Sequence, residues 1–448
     1  MVKMFRYITF YFVAFLGTSC NSESEQMDND IELQNVAFIK TLGGSLNDSG
    51  QAITKKTDGG YTILGYTQSQ DLDILDKQDD SFDFWVLNYD SNDNLSWAKT
   101  YGGSEDDKGN DIIQTQDNGF AILGSSQSNN GDATENQGSL DYWILKLNSQ
   151  GAIIWQKSFG FSGADFGLSL IQTQDSGFLI TGELDVTASN GEGNSDGQRA
   201  QLHAGGDYWA IKLNGAGQLE WSRYFGGTFT DTALSVIETD DQHFILAGLS
   251  DSFDIDITGN KGSYDFWVVK IDANGALVWE KSFGGTEVDE AKAVTTSNDG
   301  GFIVAGNTRS NNSDISNNKG AADVWIIKID SEGNLIWEKT FGGSSFDTAN
   351  SISKTEDNGY IIAGNSRSSD FDLTQNQGQN DAWVIKITNE GSLVWQQSIG
   401  GSNIDFATDA IELNNQNIII VGESNSNDGN INENKGFSDL LIFKITPL

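Results

Sequence analysis

The chain reads as an all-β protein, a seven-bladed β-propeller of four-stranded blades whose N-terminal strand completes the last blade. Three observations lead there. All 12 tryptophans fall on one repeating grid. Gly numbers 51 and Pro only 1, so turns must be built on Gly, Asn and Asp, the residues that tolerate positive φ. The last repeat also stops after its third strand, while the N-terminal region offers a fourth strand with nothing before it.

The grid comes first. One set is Trp85, Trp143, Trp209, Trp267, Trp325 and Trp383; each is followed 12 residues later by Trp97, Trp155, Trp221, Trp279, Trp337 or Trp395. Within a set the spacing is 58, with one gap of 66. An Asp stands two residues before the first Trp of each unit (Asp83, Asp141, Asp207, Asp265, Asp323, Asp381), and Asp439 keeps that place in a seventh unit without Trp. A second Asp follows the Gly-Gly region: Asp48, Asp107, Asp165, Asp231, Asp289, Asp347 and Asp405.

The unit starting at Asp347 shows the elements. TANSISKT is a first strand, EDNG a turn, and YIIAGN a second strand, forming a hairpin. A polar loop, SRSSDFDLTQNQGQN, leads to a second hairpin, DAWVIKIT and SLVWQQSIGG across NEG. Apolar residues recur with period two, as in Trp383, Ile385 and Ile387, which argues strand and not helix. The chain ends in DLLIFKITPL, a third strand. At the other end NVAFIKTLGG (35–44) aligns with the fourth-strand sequence LIWEKTFGG, with Phe38 in the Trp position. Borrowing that strand closes a ring and removes two edges. A linear solenoid has no reason to split one unit between both ends.

Three segments are expected: a signal peptide over 1–19, a Cys with an acidic tether over 20–34, and the propeller over 35–448. Lys3 and Arg6 precede an apolar run of 11 residues (7–17), too short to span ~30 Å of hydrocarbon as a helix. Gly17, Thr18 and Ser19 lead to Cys20, the sole cysteine. This start resembles a bacterial lipoprotein signal, which implies cleavage before Cys20 and a diacylglyceryl group on its sulfur. Residues 21–34 carry five acids and no base; an acidic Ser/Glu stretch after such a Cys resembles a surface-export tag. The resemblance implies an outer-membrane lipoprotein of a Gram-negative bacterium, displayed on the surface and touching the membrane through its lipid alone.

The repeat resembles the bacterial β-propeller repeat of secreted and surface proteins, with its GGS-x-x-D-x-A core, over about residues 36–448. The likeness is close in GGSSFDTA and weakest in GFSGADFG, where Phe161 replaces a Gly. It differs from WD40 and kelch repeats. That family implies a fold and fixes no activity.

A formal net charge of −38 argues against nucleic acid and against charge-driven binding to anionic lipid. Nucleophile elbow, HExxH, P-loop and dinucleotide fingerprints are absent, so no catalytic residue is assigned. A carboxylate pair for glycoside cleavage remains open. Features present seven times read as architecture: the Asp after Gly-Gly either fixes the crossing turn by accepting backbone N–H groups or forms a carboxylate ring for cations. The Trp pairs read as packing between blades.

Candidate ligand residues lie where the repeat breaks. The 66-residue gap implies an eight-residue insertion within 186–207, which holds Arg199 and His203. Arg309 and Arg367, each in N-x-R-S at a strand end, could meet an anionic sugar or a carboxylate. No cofactor is required, but oxygen-rich loops containing Asp254 and Asp256, and Asp370 and Asp372, could hold Ca²⁺. The expectation is a monomeric, non-catalytic binding propeller for a glycan or an envelope protein. A glycan-active hydrolase or lyase and a pure envelope scaffold are the alternatives. Binding predicts repeat-breaking residues on the loop face and no acid with a raised pKa. An enzyme predicts two non-repeat carboxylates about 5–10 Å apart. A scaffold predicts a broad exposed apolar patch.

Overall fold

The computed structural model describes residues 34–195 and 203–447. Seven four-stranded antiparallel sheets form, six from consecutive strands and one split between the two ends of the chain. The sequence-read unit at Asp347 becomes strands Asp347–Lys354, Tyr360–Ser366, Asp381–Ile387 and Leu393–Ile399. In the split sheet, Asn35–Leu42 pairs antiparallel with Asp439–Thr446, from Asn35 opposite Thr446 to Leu42 opposite Leu440. Blades 1–6 span 48–101, 107–159, 166–225, 231–283, 289–341 and 347–399; blade 7 spans 405–446 together with 35–42.

First strands lie innermost and contact their neighbours around a closed circle, with Asp405–Glu412 against Asp48–Lys55 completing it. Inner hairpins turn through a residue at positive φ, such as Gly59, Asn118 or Asn358. Outer hairpins do so through Gly151, Gly217, Gly275, Gly333 and Gly391, and through Asp93 in blade 1. The register shift after each outer turn is the bulge such turns impose.

The core lies between blades. Ala52, Leu64, Phe84 and Val86 of blade 1, for example, pack on Ile112, Ile122 and Trp143 of blade 2. The third-strand Trp residues are buried to 3% exposure or less. Five of the outer-strand Trp residues lie over the next blade's turn: the Trp221 indole N–H, for example, donates to Ala273 O at 3.1 Å, and its ring covers Gly275. Both sets therefore serve blade packing. The long loops and the Gly-Gly crossings share one face, tied by bonds such as Ser344 N–H to Asp370 Oδ1 at 2.8 Å.

Candidate functional site

Both repeating aspartates meet at every blade junction. Second-glycine N–H groups donate to the crossing Asp: Gly44 to Asp48, Gly285 to Asp289 and Gly343 to Asp347, each at 2.7 Å. The third-strand Asp accepts a long-loop N–H, as Asp265 Oδ2 does from Lys261 at 2.8 Å. These carboxylates are fully buried inside the junctions and do not ring the channel mouth. The first Gly passes between the two. A Cβ on Gly284 would lie 2.4 Å from Asp265 Oδ1 and 2.8 Å from Asp289 Oδ2. Burial raises the carboxyl pKa of Asp265 to about 7, with Asp289 adding like-charge repulsion. Asp231 rises to about 8, again through burial first. Acids with raised pKa therefore exist, contrary to what the binding reading expected; these junction carboxyls recur with the repeat and belong to the architecture.

A central channel of about 470 Å³ is lined by one bulged residue from each inner strand. Those residues are Gln51, Asn110, Leu168, Leu234, Lys292, Asn350 and Thr408. The bulge is shared by all seven blades, yet its side chains are amide, aliphatic, cationic or hydroxyl. Lys292 is the one cation among these seven, 3.2 Å from Glu290. In four blades the residue after the bulge bonds to the neighbouring blade. Ser169 and Ser235 hydroxyls accept Val236 and Val294 N–H at 3.3 and 3.2 Å. In blades 2 and 7 an Asp takes this place: Asp111 Oδ2 accepts Leu170 N–H at 2.8 Å, and Asp409 Oδ2 accepts Ile53 N–H at 3.0 Å. Surrounding protein raises Asp111 to about 7, with the Asp409 charge contributing. Asp409 rises to about 6 through burial.

On the loop face the structure joins two residues singled out from sequence. Arg309 of blade 5 and Arg367 of blade 6 hold their guanidinium carbons 5.6 and 5.8 Å from the centroid of one ring, Phe346, which is 37% exposed. The Arg367 backbone donates to Phe346 O at 2.9 Å and its Nε to Asn380 Oδ1 at 3.0 Å. Lys108 sits comparably over Phe82 and Tyr66, at 4.1 and 5.2 Å.

The other candidates separate. Arg199 lies outside the described residues, as do Cys20 and the segments 1–33. His203 is buried; its Nδ1 is 2.5 Å from Asp207 Oδ2, where other blades place a loop N–H, and Tyr224 meets it edge-on at 5.0 Å. Asp254 Oδ1 accepts Thr228 N–H at 3.1 Å and Asp256 Oδ2 accepts Gly226 N–H at 3.4 Å. Asp372 Oδ2 accepts Gly342 N–H at 2.9 Å and pairs with Lys319. The two Asp pairs thus sit on different blades and brace crossing turns. Among the described residues no group of three or more His, Cys, Asp or Glu is placed to hold a metal ion. Phe346, the bulged residues and the Asp111–Asp409 pair were not singled out from sequence; the available signal was a position that changes chemistry inside an otherwise regular inner strand.

No family model matches the chain. A 248-residue stretch is 25% identical to the regulatory protein FlaEY of Caulobacter vibrioides, covering 51% of this chain and 24% of that protein. The chain therefore spans about a quarter of the length of the curated relative it matches. Among solved structures, the Pan2 WD40 domain of Neurospora crassa has a TM-score of 0.48 at 10% identity, over 93% of this chain and 98% of that one. The gluconolactonase XC5397 of Xanthomonas campestris has 0.37 at 10% identity, over 72% and 85%. These likenesses concern the fold.

Proposed function

We infer that this chain is a non-catalytic binding propeller, anchored through Cys20 in a Gram-negative outer membrane, that engages an acidic glycan or an acidic segment of an envelope protein. The observation that carries this is the Arg309–Phe346–Arg367 cluster. Two guanidinium groups from adjacent blades bracket one exposed ring on the loop face of a strongly acidic body. Planar guanidinium forks recognise carboxylates and sulfates bidentately, and the ring offers an apolar face between them. The varied channel lining supports the same reading, because a pure scaffold gains nothing from five kinds of side chain at one structurally repeated position. The test is binding of the purified protein to immobilised acidic and neutral glycans and to envelope extracts. Retention on acidic ligands that R309A/R367A removes supports the proposal; equal retention by the double variant overturns it.

The Asp111–Asp409 pair favours a second reading, a glycan-cleaving enzyme. Its carboxyls break the repeat and titrate near neutrality. Against it, each carboxyl already accepts backbone N–H bonds. Polysaccharide turnover lost in D111N and in D409N, with the fold intact, would establish the enzyme.

A further inference from the structure

The long loops of six blades each bury one aliphatic side chain in the blade core: Ile74, Ala133, Ile257, Ile315, Leu373 and Ile431, all 3% exposed or less. Each shares a cluster with its own blade's third-strand Trp, or with Leu441 in blade 7. Blade 3 fills this role from a different position, with Val186 beside Trp209, and the position 58 residues after Ala133 is Gly191. In four other blades the third-strand indole N–H donates to a Gln or Glu side chain 13 residues on, as Trp143 does to Gln156 at 3.0 Å. In blade 3 that residue is Ser222, and the Trp209 N–H turns to Gly193 O at 2.9 Å. Where the repeat has a second Gly, Phe161 brings its ring to 5.8 Å from Trp209. The insertion enters through the same loop.

Gly191, Ser222 and Phe161 all line one cleft of about 630 Å³ between blades 2 and 3. Independent drift would scatter them around the ring. Phe159 and Phe161, both half-buried, supply apolar ring faces; Glu192 and Asn194 supply acceptors opposite. The Asn194 Oδ1 is buried and bonded to nothing among the described residues. A ligand that satisfies this lining presents C–H faces to the rings and O–H donors to the acceptors, and carries no negative charge against Glu192. The volume lies in the small-ligand range, roughly 300–1,000 Å³.

We propose that the blade 3 cleft is a binding site for a neutral mono- or disaccharide, distinct from the arginine pair on blades 5 and 6. The experiment screens neutral mono- and disaccharides against the purified protein and measures the strongest hit by titration calorimetry. S222Q restores the longer side chain of four other blades into the cleft, and F161G restores the repeat's glycine. Saturable binding is expected, weakened at least about tenfold by each substitution, with an unchanged melting temperature for S222Q and no effect of R309A/R367A. Should F161G not fold, N194A replaces it and is expected to weaken binding by removing the free acceptor. Three results would overturn the proposal: no neutral saccharide bound at millimolar concentration, binding indifferent to both substitutions, or binding abolished by R309A/R367A. Only the last would move the sugar to the loop face, so this site and the arginine cluster can fail separately.

Discussion

Asp409 and Ile53 stand 356 residues apart in the chain, yet the Ile53 N–H donates to Asp409 Oδ2 at 3.0 Å across the seam between the last blade and the first. Beside it, the Thr408 hydroxyl donates to Gly50 O at 2.9 Å. Replacing Asp409 by Ala strands a backbone donor in the ring wall. The expected cost is about 1–3 kcal/mol, read as a lower denaturation midpoint with an unchanged slope. D409S, which copies the hydroxyl staple of Ser169 and Ser235, is expected to recover part of it.

Glycine 284 passes between two carboxylates with no room for a methyl group. G284A is expected to destabilise by about 1–3 kcal/mol through overpacking, because both carboxylates are buried and fixed: Asp265 Oδ2 accepts Lys261 N–H and the obstructing Asp289 Oδ2 accepts Gly285 N–H. Alanine at Gly259, which has open space around it but sits at positive φ, is expected to cost less. Thermal unfolding of both variants checks the contrast.

Buried junction carboxylates set the pH response. Asp231 titrates at about 8, and Asp265 and Asp83 at about 7, all raised first by burial above the ordinary value near ~3.9. Between those limits the folded protein binds more protons than the unfolded chain, so stability falls as pH rises. The melting temperature is expected to climb as pH drops from about 8 towards about 5. Below that, carboxylates held low by lysine and hydroxyl partners, such as Asp117 and Asp299 at about 2, lose their contribution and stability declines. D265N is expected to flatten the upper slope. A melting temperature that rises steadily from acid to pH 8 would contradict this.

Divalent cations are expected to be dispensable for folding. The loop aspartates Asp254, Asp256, Asp370 and Asp372 already accept N–H groups of the crossing turns. Adding EDTA is expected to leave the melting temperature unchanged; a fall of several degrees, restored by Ca²⁺, would make the metal structural.

The architecture could be read from sequence because each of its causes is local and repeated. Asp-x-Trp spacing marks a strand, Asn-Gly and Asp-Gly mark hairpins, and the unpaired strand at 35–42 has its missing partners at 439–446. The ligand-facing surface was harder. Arg309 and Arg367 were visible as cations at strand ends of an acidic chain, but their shared contact, Phe346, lies in the crossing between blades 5 and 6 and meets both only when those blades pack. His203 drew notice as a rare residue in an insertion, and burial turned it into a structural partner of Asp207. Asp111 and Asp409 passed unnoticed because each looks like one more acid in an acidic chain; their distinction lies in accepting a backbone N–H from the neighbouring blade's inner strand.

The split seventh blade has a consequence for synthesis. Asn35–Leu42 leaves the ribosome before the other described strands, and its partner Asp439–Thr446 follows all of them. Until then the early strand carries an unsatisfied edge, which neighbouring nascent chains could trade. A cell making this protein quickly would accumulate linked pairs, each lending its first strand to the other's last sheet, and a chaperone that shields the early strand would restore single rings.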